Sequence, residues 1–152
     1  MPQLSLHSPL GPLTLSEEDG AIIALDWGWG RDQTETVLLT SAREWLDAWF
    51  DQPEGQFLLP LAPEGTLYQK KVWAALMKIP VGQVRTYGEL ATEIGGSARS
   101  VGQAVGRNPI PILIPCHRVV GAHSLGGYSG DGGVDDKLWL LEFEGARPVT
   151  GT

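Results

Sequence analysis

The sequence is poor in the residues that build disulfides and metal sites. The 152 residues include one cysteine, Cys116, so no disulfide can form within the chain. The three histidines are scattered, and together with Cys116 they give no spacing typical of a zinc site; they are His7, His117 and His123. We therefore expect no metal and no other cofactor.

The sequence also lacks long apolar runs. No stretch approaches the roughly 18 consecutive apolar residues that are needed to cross a bilayer. Residues 1–10 lack the basic region and apolar core that form a signal peptide. An unpaired thiol without an export signal favours a reducing compartment. We therefore expect a protein of the cytoplasm, or of the nucleus if its source is eukaryotic, that has no membrane partner.

Basic residues are scarce in the first part of the chain, so the charge is distributed unevenly. The net charge is −7, which taken alone argues against a nucleic-acid partner. Residues 1–67 carry a net charge of −9, whereas residues 68–118 carry seven basic and two acidic side chains, a net charge of +5. This asymmetry indicates an anionic partner for the second half of the chain, with solvated surface charges as the alternative.

The first 62 residues predict a small α/β domain. Apolar and polar residues alternate, or nearly so, in three predicted strands over residues 4–7, 13–16 and 21–27. Apolar residues at three- and four-residue spacing then indicate a helix, with Thr40 or Ser41 as its N-cap. Prolines and glycines within residues 51–66 indicate a linker. We divide the chain into domains at 1–62 and 63–152.

The second domain predicts mainly helices. Two segments, residues 66–69 and 86–89, have the form of a capping box, in which a threonine and a residue three positions later cap the start of a helix. Ser97 can cap a third helix over residues 98–105, and a last helix covers about residues 134–144. Two short helices joined by a glycine-containing turn resemble a helix-turn-helix, which is a weak signal on its own.

The helix over residues 98–105 has an unusual outward face. Ser97, Ser100 and Gly102 are small, and Arg99 is the one long charged side chain on that face. A smooth face can approach a nucleic-acid groove closely, and a single arginine can reach a phosphate or insert between bases. A solvated arginine on a surface helix is the alternative.

Cys116 follows an apolar run, where a lone cysteine is more often a buried small hydrophobe than a nucleophile. Its neighbours favour the nucleophile. His117 and Arg118 are cationic partners that can lower the pKa of a thiol. A later carboxylate, notably Glu144, could orient the imidazole of His117. Adjacent side chains on an extended chain point to opposite faces, so direct contact between Cys116 and His117 needs a bend or a bridging water.

Five segments, in one order, resemble the O6-alkylguanine-DNA alkyltransferases, also called methylated-DNA–protein-cysteine methyltransferases. Residues 112–119, Ile-Leu-Ile-Pro-Cys-His-Arg-Val, are similar to the active-site signature of that family. The other four are similar to its first DNA-motif helix, its recognition helix with an Asn-Pro hinge, its closing loop and its last helix; they are residues 84–91, 99–109, 127–130 and 139–145. The resemblance covers residues 67–146, and the first 60 residues match only in layout.

The resemblance implies a fold and an activity. The fold is an α/β N-terminal lobe, with a small antiparallel sheet plus helix in a ribonuclease-H-like arrangement, followed by a mainly α C-terminal lobe with a winged helix-turn-helix. The activity is DNA repair by direct reversal, in which the alkyl group of O6-alkylguanine passes irreversibly to Cys116 after nucleotide flipping. The implied partner is double-stranded DNA, bound through its minor groove by a monomer that acts once.

The resemblance also implies roles for the catalytic residues. Cys116 attacks the alkyl carbon, His117 accepts the thiol proton, and Glu144 holds the imidazole. Tyr87 hydrogen-bonds the base and relieves charge on the leaving guanine. Asn108 ties the recognition helix to the active-site segment.

The implied binding residues lie on the recognition helix and around the pocket. Arg99 fills the space left by the flipped nucleotide, beside the small residues Ser97, Ser100 and Gly102. The remaining contacts are the Val119 carbonyl to the exocyclic amine, the Tyr128 side chain on the pocket wall and the Ser129 backbone N–H to O6 of the base.

Three other functions stay open at this stage. A non-catalytic module that binds alkylated DNA is one, although the family branch of that kind has another residue in place of the cysteine, and Cys116 argues against it. A cysteine hydrolase that uses Cys116 and His117 would turn over acyl substrates. A transcription factor would use the helix-turn-helix alone. Some family members hold zinc in the N-terminal lobe, but this chain lacks the ligands.

Overall fold

The computed structural model describes residues 1–128 and 133–146. The chain divides into two compact units, Met1–Glu64 and Gly65–Thr152. In the described ranges, no helix has both the length and the apolar character that a membrane span requires. Ser129, which the resemblance places in the binding loop, lies outside the described residues.

The first unit is a three-stranded antiparallel sheet packed against one helix. The elements are β1 (Gln3–Leu6), β2 (Leu13–Glu18), β3 (Ala21–Trp27) and α1 (Val37–Asp51). Strand β2 is central, and its Leu15 lies opposite Leu4 on one side and Leu25 on the other. Alternation places these leucines on one face, where they are buried together with Leu39 and Leu46 of α1. The predicted small antiparallel sheet plus helix is confirmed.

Helix α1 begins earlier than the sequence predicts. Its N-cap is Thr36, whose hydroxyl accepts a hydrogen bond from the Leu39 N–H at 3.0 Å. The same hydroxyl donates to the Glu17 carboxylate at 2.5 Å, which anchors the helix start to β2. The prediction of Thr40 or Ser41 as the cap is therefore wrong, because both lie within the helix. A tertiary partner from a distant strand decides which of several threonines caps the helix.

The second unit is built from short helices whose starts are encoded locally. The helices are α2 (Leu67–Leu76), α3 (Tyr87–Ile94), α4 (Ala98–Gly106) and α5 (Val134–Phe143). Thr66 and Thr86 form complete capping boxes with Gln69 and Glu89, and Ser97 caps α4, as predicted. Helices α2, α3 and α4 pack against one another. The mainly helical character of this unit is confirmed, whereas the wing of a winged helix-turn-helix stays a prediction.

A short parallel pairing places the start of α3 beside the cysteine. Strand β4 (Arg85–Thr86) pairs with β5 (Val119–Val120), which directly follows a 3₁₀ turn over Cys116–Arg118. Tyr87 follows β4 without a gap, so its position is fixed relative to that turn. Val120 also packs with Leu141 of α5 in a small apolar cluster, which holds α5 near the same point.

Candidate active site

Cys116 lies at the wall of a cavity of about 230 Å³. The thiol residue is only 2 % exposed, and its N–H donates to the Ile114 carbonyl at 2.7 Å. The cavity is lined by the side chains or backbone of Tyr87, Gly102, Val105, Gly106, Cys116, Gly127 and Tyr128. Three of these residues are glycines, so the backbone itself forms much of the wall and leaves room for a flat ligand.

Cys116 and His117 lie in a 3₁₀ turn, which replaces the extended chain at this point. His117 is fully buried, and its Nε2 lies 3.0 Å from Oε2 of Glu144. Glu144 also accepts hydrogen bonds from Nε of Arg118, at 3.0 Å to Oε1 and 3.1 Å to Oε2. The predicted pairing of His117 with Glu144 is therefore present, with Arg118 as an additional member.

Burial and charge act against each other in this cluster. Burial works to raise the pKa of Glu144, but the hydrogen bonds and positive charges of His117 and Arg118 outweigh it, and the pKa lies below its usual value. Burial lowers the pKa of His117, and Glu144 opposes that effect only in part. At neutral pH the arrangement is a carboxylate, a guanidinium and a neutral imidazole, which can accept a proton.

The thiol itself is not activated by its cationic neighbours. Burial raises the pKa of Cys116 to about 11, although a hydrogen bond from Asn108 and the charge of Lys137 pull in the other direction. The expectation that His117 and Arg118 lower the thiol pKa is wrong, because Arg118 is paired with Glu144 and His117 is neutral. The thiol is protonated at neutral pH, so it needs a base to react as a thiolate.

Asn108 satisfies two buried backbone groups of the segment that leads to the cysteine. Its Nδ2 donates to the Ile114 carbonyl at 2.9 Å, and its Oδ1 accepts from the Ile110 N–H at 2.9 Å. Between them lies Ile112, whose φ of 73° is rare for a β-branched residue. The side chain of Asn108, at the end of α4, therefore holds a strained loop in the shape that delivers Cys116.

Lys137 is a site residue that sequence reasoning missed. It is fully buried, and its Nζ donates to the carbonyls of Val119 at 2.6 Å and Gly127 at 3.1 Å. The same nitrogen lies 3.5 Å from Oη of Tyr87 and 5.7 Å from the centre of that ring. The available signal was the spacing on α5, since Lys137 precedes Leu140, Leu141 and Glu144 by three, four and seven residues on one buried face.

Tyr87 and Lys137 are each coupled electrostatically to Cys116. Burial raises the pKa of Tyr87 above its usual value, and the nearby Cys116 adds to the effect. Burial lowers the pKa of Lys137 to about 8. The Tyr87 hydroxyl therefore stays protonated and can donate a hydrogen bond into the cavity.

The predicted binding residues divide between the cavity and the surface of α4. Gly102 lies against Tyr87, since a Cβ added there would be 3.7 Å from the ring, and Tyr128 lines the cavity. Arg99 and Ser97 are exposed. Ser97 also caps α4. The hydroxyl of Ser100 is within 3.0 Å of the Tyr68 hydroxyl.

The Val119 carbonyl, which the resemblance assigns to the exocyclic amine of a base, already accepts from Lys137. A carbonyl oxygen has two lone pairs, so it can accept a second hydrogen bond. The assignment to the base amine stays a prediction.

Comparison with known proteins identifies relatives of this chain that cover both of its units. Residues 67–146 match the family model described as 6-O-methylguanine DNA methyltransferase, DNA binding domain, and residues 4–63 match its ribonuclease-like domain. The methylated-DNA–protein-cysteine methyltransferase of Methanosarcina acetivorans is 41% identical over 92% of this chain and 96% of its own. The constitutive enzyme of that name from Bacillus subtilis is 40% identical over 91% of this chain and 92% of its own.

Solved structures give the same result. Mycobacterium tuberculosis OGT in complex with DNA has a TM-score of 0.83 and 38% identity over 95% of this chain and 93% of its own. An O6-methylguanine DNA methyltransferase from Methanococcus jannaschii has a TM-score of 0.70 and 28% identity over 97% of this chain and 96% of its own. The family models span both units, so the chain belongs to the 6-O-methylguanine DNA methyltransferase family.

Proposed function

We propose that this protein repairs DNA by transferring the alkyl group of O6-alkylguanine to Cys116, once per molecule. The observation that carries the proposal is a protonated cysteine at the wall of a cavity, one residue from a neutral histidine that a buried carboxylate orients. The curated relatives are named for transfer of this kind, and cover nearly the whole chain.

The reaction needs the damaged base outside the duplex. The O6 alkyl group of a stacked guanine is out of reach of a buried thiol, so the nucleotide must be flipped into the cavity. The rings of Tyr87 and Tyr128 offer surfaces for a planar base, and the glycines of the wall let it approach the sulfur closely. The contact of the Ser129 N–H with O6 of the base is implied by the resemblance alone, since Ser129 lies outside the described residues.

The transfer itself is a displacement at the alkyl carbon. The Cys116 proton passes to His117, directly or through a water molecule, and the sulfur then forms a bond to the carbon. The bond between that carbon and O6 breaks, and its electron pair leaves with guanine. Tyr87 donates a hydrogen bond that relieves the negative charge on the leaving guanine. The guanine takes up one proton, which balances the proton that Cys116 gave to His117. The thioether on Cys116 is stable, so the protein acts once.

Lys137 acts on both the attacking thiol of Cys116 and the Tyr87 hydroxyl that faces the leaving guanine. Its Nζ contacts the Tyr87 hydroxyl and two carbonyls next to the cavity, so it fixes the phenol relative to the strand that follows the cysteine. Its charge also lowers the pKa of Cys116, which favours the thiolate that attacks. Lys137 thereby offsets part of the effect of burial on the thiol.

The DNA-binding surface is the exposed face of α4, entering the minor groove. Arg99 is exposed on that helix and fills the gap left by the flipped nucleotide, between the small residues Ser97, Ser100 and Gly102. The local net charge of +5 over residues 68–118 supplies the attraction to phosphate, although the whole chain is acidic. The M. tuberculosis OGT with 38% identity was solved in complex with DNA, which supports DNA as the partner.

The protein works as a monomer in the cytoplasm, or in the nucleus of a eukaryote, and needs no cofactor because the thiol supplies the only group consumed. The domains divide at 1–62 and 63–152, with alkyl transfer and DNA binding in the second.

The test is intact-protein mass spectrometry after incubation with a duplex that contains one O6-methylguanine. We expect a gain of one methyl group per protein, located on the peptide that holds Cys116. The matched control is Cys116→Ser, which should bind the same duplex and gain no mass. An unchanged wild-type mass with retention of the damaged duplex would instead establish a non-catalytic damage-binding module. Methylation of the Cys116→Ser variant would show that the nucleophile is another residue.

A further inference from the structure

Arg118 takes no part in the displacement described above, yet it is buried against the residues that do. It is 8 % exposed. Its Nε lies within hydrogen-bond distance of both oxygens of Glu144, and its Nη2 donates to Oε2 of the same carboxylate. Its Nη1 donates to the Ile79 carbonyl at 2.6 Å. The guanidinium is thus committed to the protein interior and does not serve as a contact for DNA phosphate.

Glu144 connects Arg118 to His117, the residue that accepts the thiol proton. Its Oε2 accepts from Arg118 and also lies 3.0 Å from Nε2 of His117, and the side chains of Glu144 and His117 have no exposed surface. A carboxylate that is closed off from water needs a positive partner. Arg118 is charged at every pH of interest, whereas His117 becomes charged only by taking up a proton. Without the arginine, a proton on His117 or on Glu144 itself must balance the pair, and the imidazole binds it first because its ordinary pKa is the higher of the two.

We propose that Arg118 is a positioning residue for alkyl transfer, which neutralises Glu144 so that His117 stays uncharged and can accept the proton of Cys116. This inference rests on the function proposed above. Removal of the guanidinium charge raises the pKa of His117. The neutral imidazole that accepts the thiol proton is then absent at low pH and present again at high pH. A role in packing alone has no such pH signature.

The charges around His117 support a specific effect of the arginine. Its own turn contributes Cys116 and Arg118, the first turn of α5 contributes Lys137, and the C-cap of α5 contributes Glu144. Asp136 and Glu144 act on Tyr128 near the same cavity. Helix α2 also packs on the turn, and its buried side chains are apolar: Val72, Trp73, Ala75 and Leu76. These other groups are unchanged in an arginine variant.

The test compares Arg118→Met with Arg118→Lys, two side chains of similar length of which only the second keeps the charge. The rate of methyl transfer from the O6-methylguanine duplex is measured with protein in excess, between about pH 5.5 and 9.5. We expect the wild type and Arg118→Lys to lose activity toward low pH with the same midpoint. For Arg118→Met the midpoint moves up by about one pH unit or more, so the rate is about tenfold lower at low pH and recovers at high pH.

Two results would overturn the role of Arg118. One is a loss in Arg118→Met that is equal at every pH, and the other is the same shift of the midpoint in both variants. A wild-type chain that transfers no methyl group overturns this inference together with the proposed function. An active wild type with a pH-independent loss in Arg118→Met overturns only the role of the arginine.

Arg118→Met leaves Glu144 buried without its partner and so can fail to fold. In that case a double variant is compared with the single variant Glu144→Gln. The combination Arg118→Met with Glu144→Gln removes both charges together. If the arginine acts through Glu144, the double variant transfers methyl groups at the rate of Glu144→Gln. A further loss of about tenfold or more relative to Glu144→Gln would contradict action through Glu144.

Discussion

Replacement of Asn108 by alanine tests how the loop before the cysteine is held. The amide of Asn108 is 6 % exposed and joins two backbone groups, the Ile110 N–H and the Ile114 carbonyl, at 2.9 Å each. The Ile114 carbonyl also accepts from the Cys116 N–H, so Asn108→Ala removes one of its two hydrogen bonds, worth about 0.5–1.5 kcal/mol. The buried Ile110 N–H loses its acceptor, which costs about 1–3 kcal/mol, so we expect the free energy of unfolding to fall by about 1.5–4.5 kcal/mol. This is a large share of the roughly 5–15 kcal/mol that stabilises an ordinary domain.

Urea unfolding at neutral pH, followed by tryptophan fluorescence, measures the change. The matched control is Gln103→Ala, which removes an amide from an exposed position of α4 and should change the free energy of unfolding by less than about 0.5 kcal/mol. Hydrogen exchange at the Ile110 N–H should also become faster in Asn108→Ala, because its acceptor is gone. A destabilisation below about 1 kcal/mol would refute the reasoning, since the Ile110 N–H would then have found another partner.

The other predictions concern charge and access. Because the pKa of Lys137 is lowered to about 8 from its ordinary 10.5, its contribution to the free energy of unfolding should rise by about 3 kcal/mol between these pH values, measured as the difference from Lys137→Met. Lys137→Met should lack this rise in urea unfolding, and parallel profiles would contradict the assignment. With the pKa of Cys116 at about 11, iodoacetamide should modify the free protein about tenfold faster per unit of pH up to about pH 10, and a plateau below about pH 8 would show an activated thiol. Arg99→Ala should slow transfer from duplex DNA more than from the free alkylated base, and equal losses on both would remove its role in flipping.

The parts of the fold that the sequence predicts well are those fixed by neighbours along the chain. The capping boxes at Thr66 and Thr86 are complete in the structure, because both partners of each box lie within four residues. The strands of the first unit follow from apolar alternation in the same local way. The start of α1 does not, because Thr36 is selected as its cap by a hydrogen bond to Glu17 in another element.

The candidate site also contains residues that local sequence patterns predict and one residue that only tertiary packing places. The Cys-His segment and the later carboxylate are visible as sequence patterns, and the structure brings His117 and Glu144 together. Lys137 has the spacing of the buried face of α5, but only the structure shows that its side chain contacts Tyr87. A long side chain that reaches another element cannot be placed by local spacing alone.

The raised pKa of the Cys116 thiol explains how the site limits the reactivity of its nucleophile. Adjacent cations would have made Cys116 a thiolate at rest, open to any electrophile that reaches it, and a protein whose thioether product is stable would lose its function to each such event. The structure does the opposite, because burial raises the pKa of Cys116 and Arg118 is turned away toward Glu144. The thiol then reacts only after it transfers its proton to His117, when a flipped nucleobase fills the cavity. The arginine beside the cysteine contributes to that reaction by keeping the histidine neutral rather than by ionising the thiol.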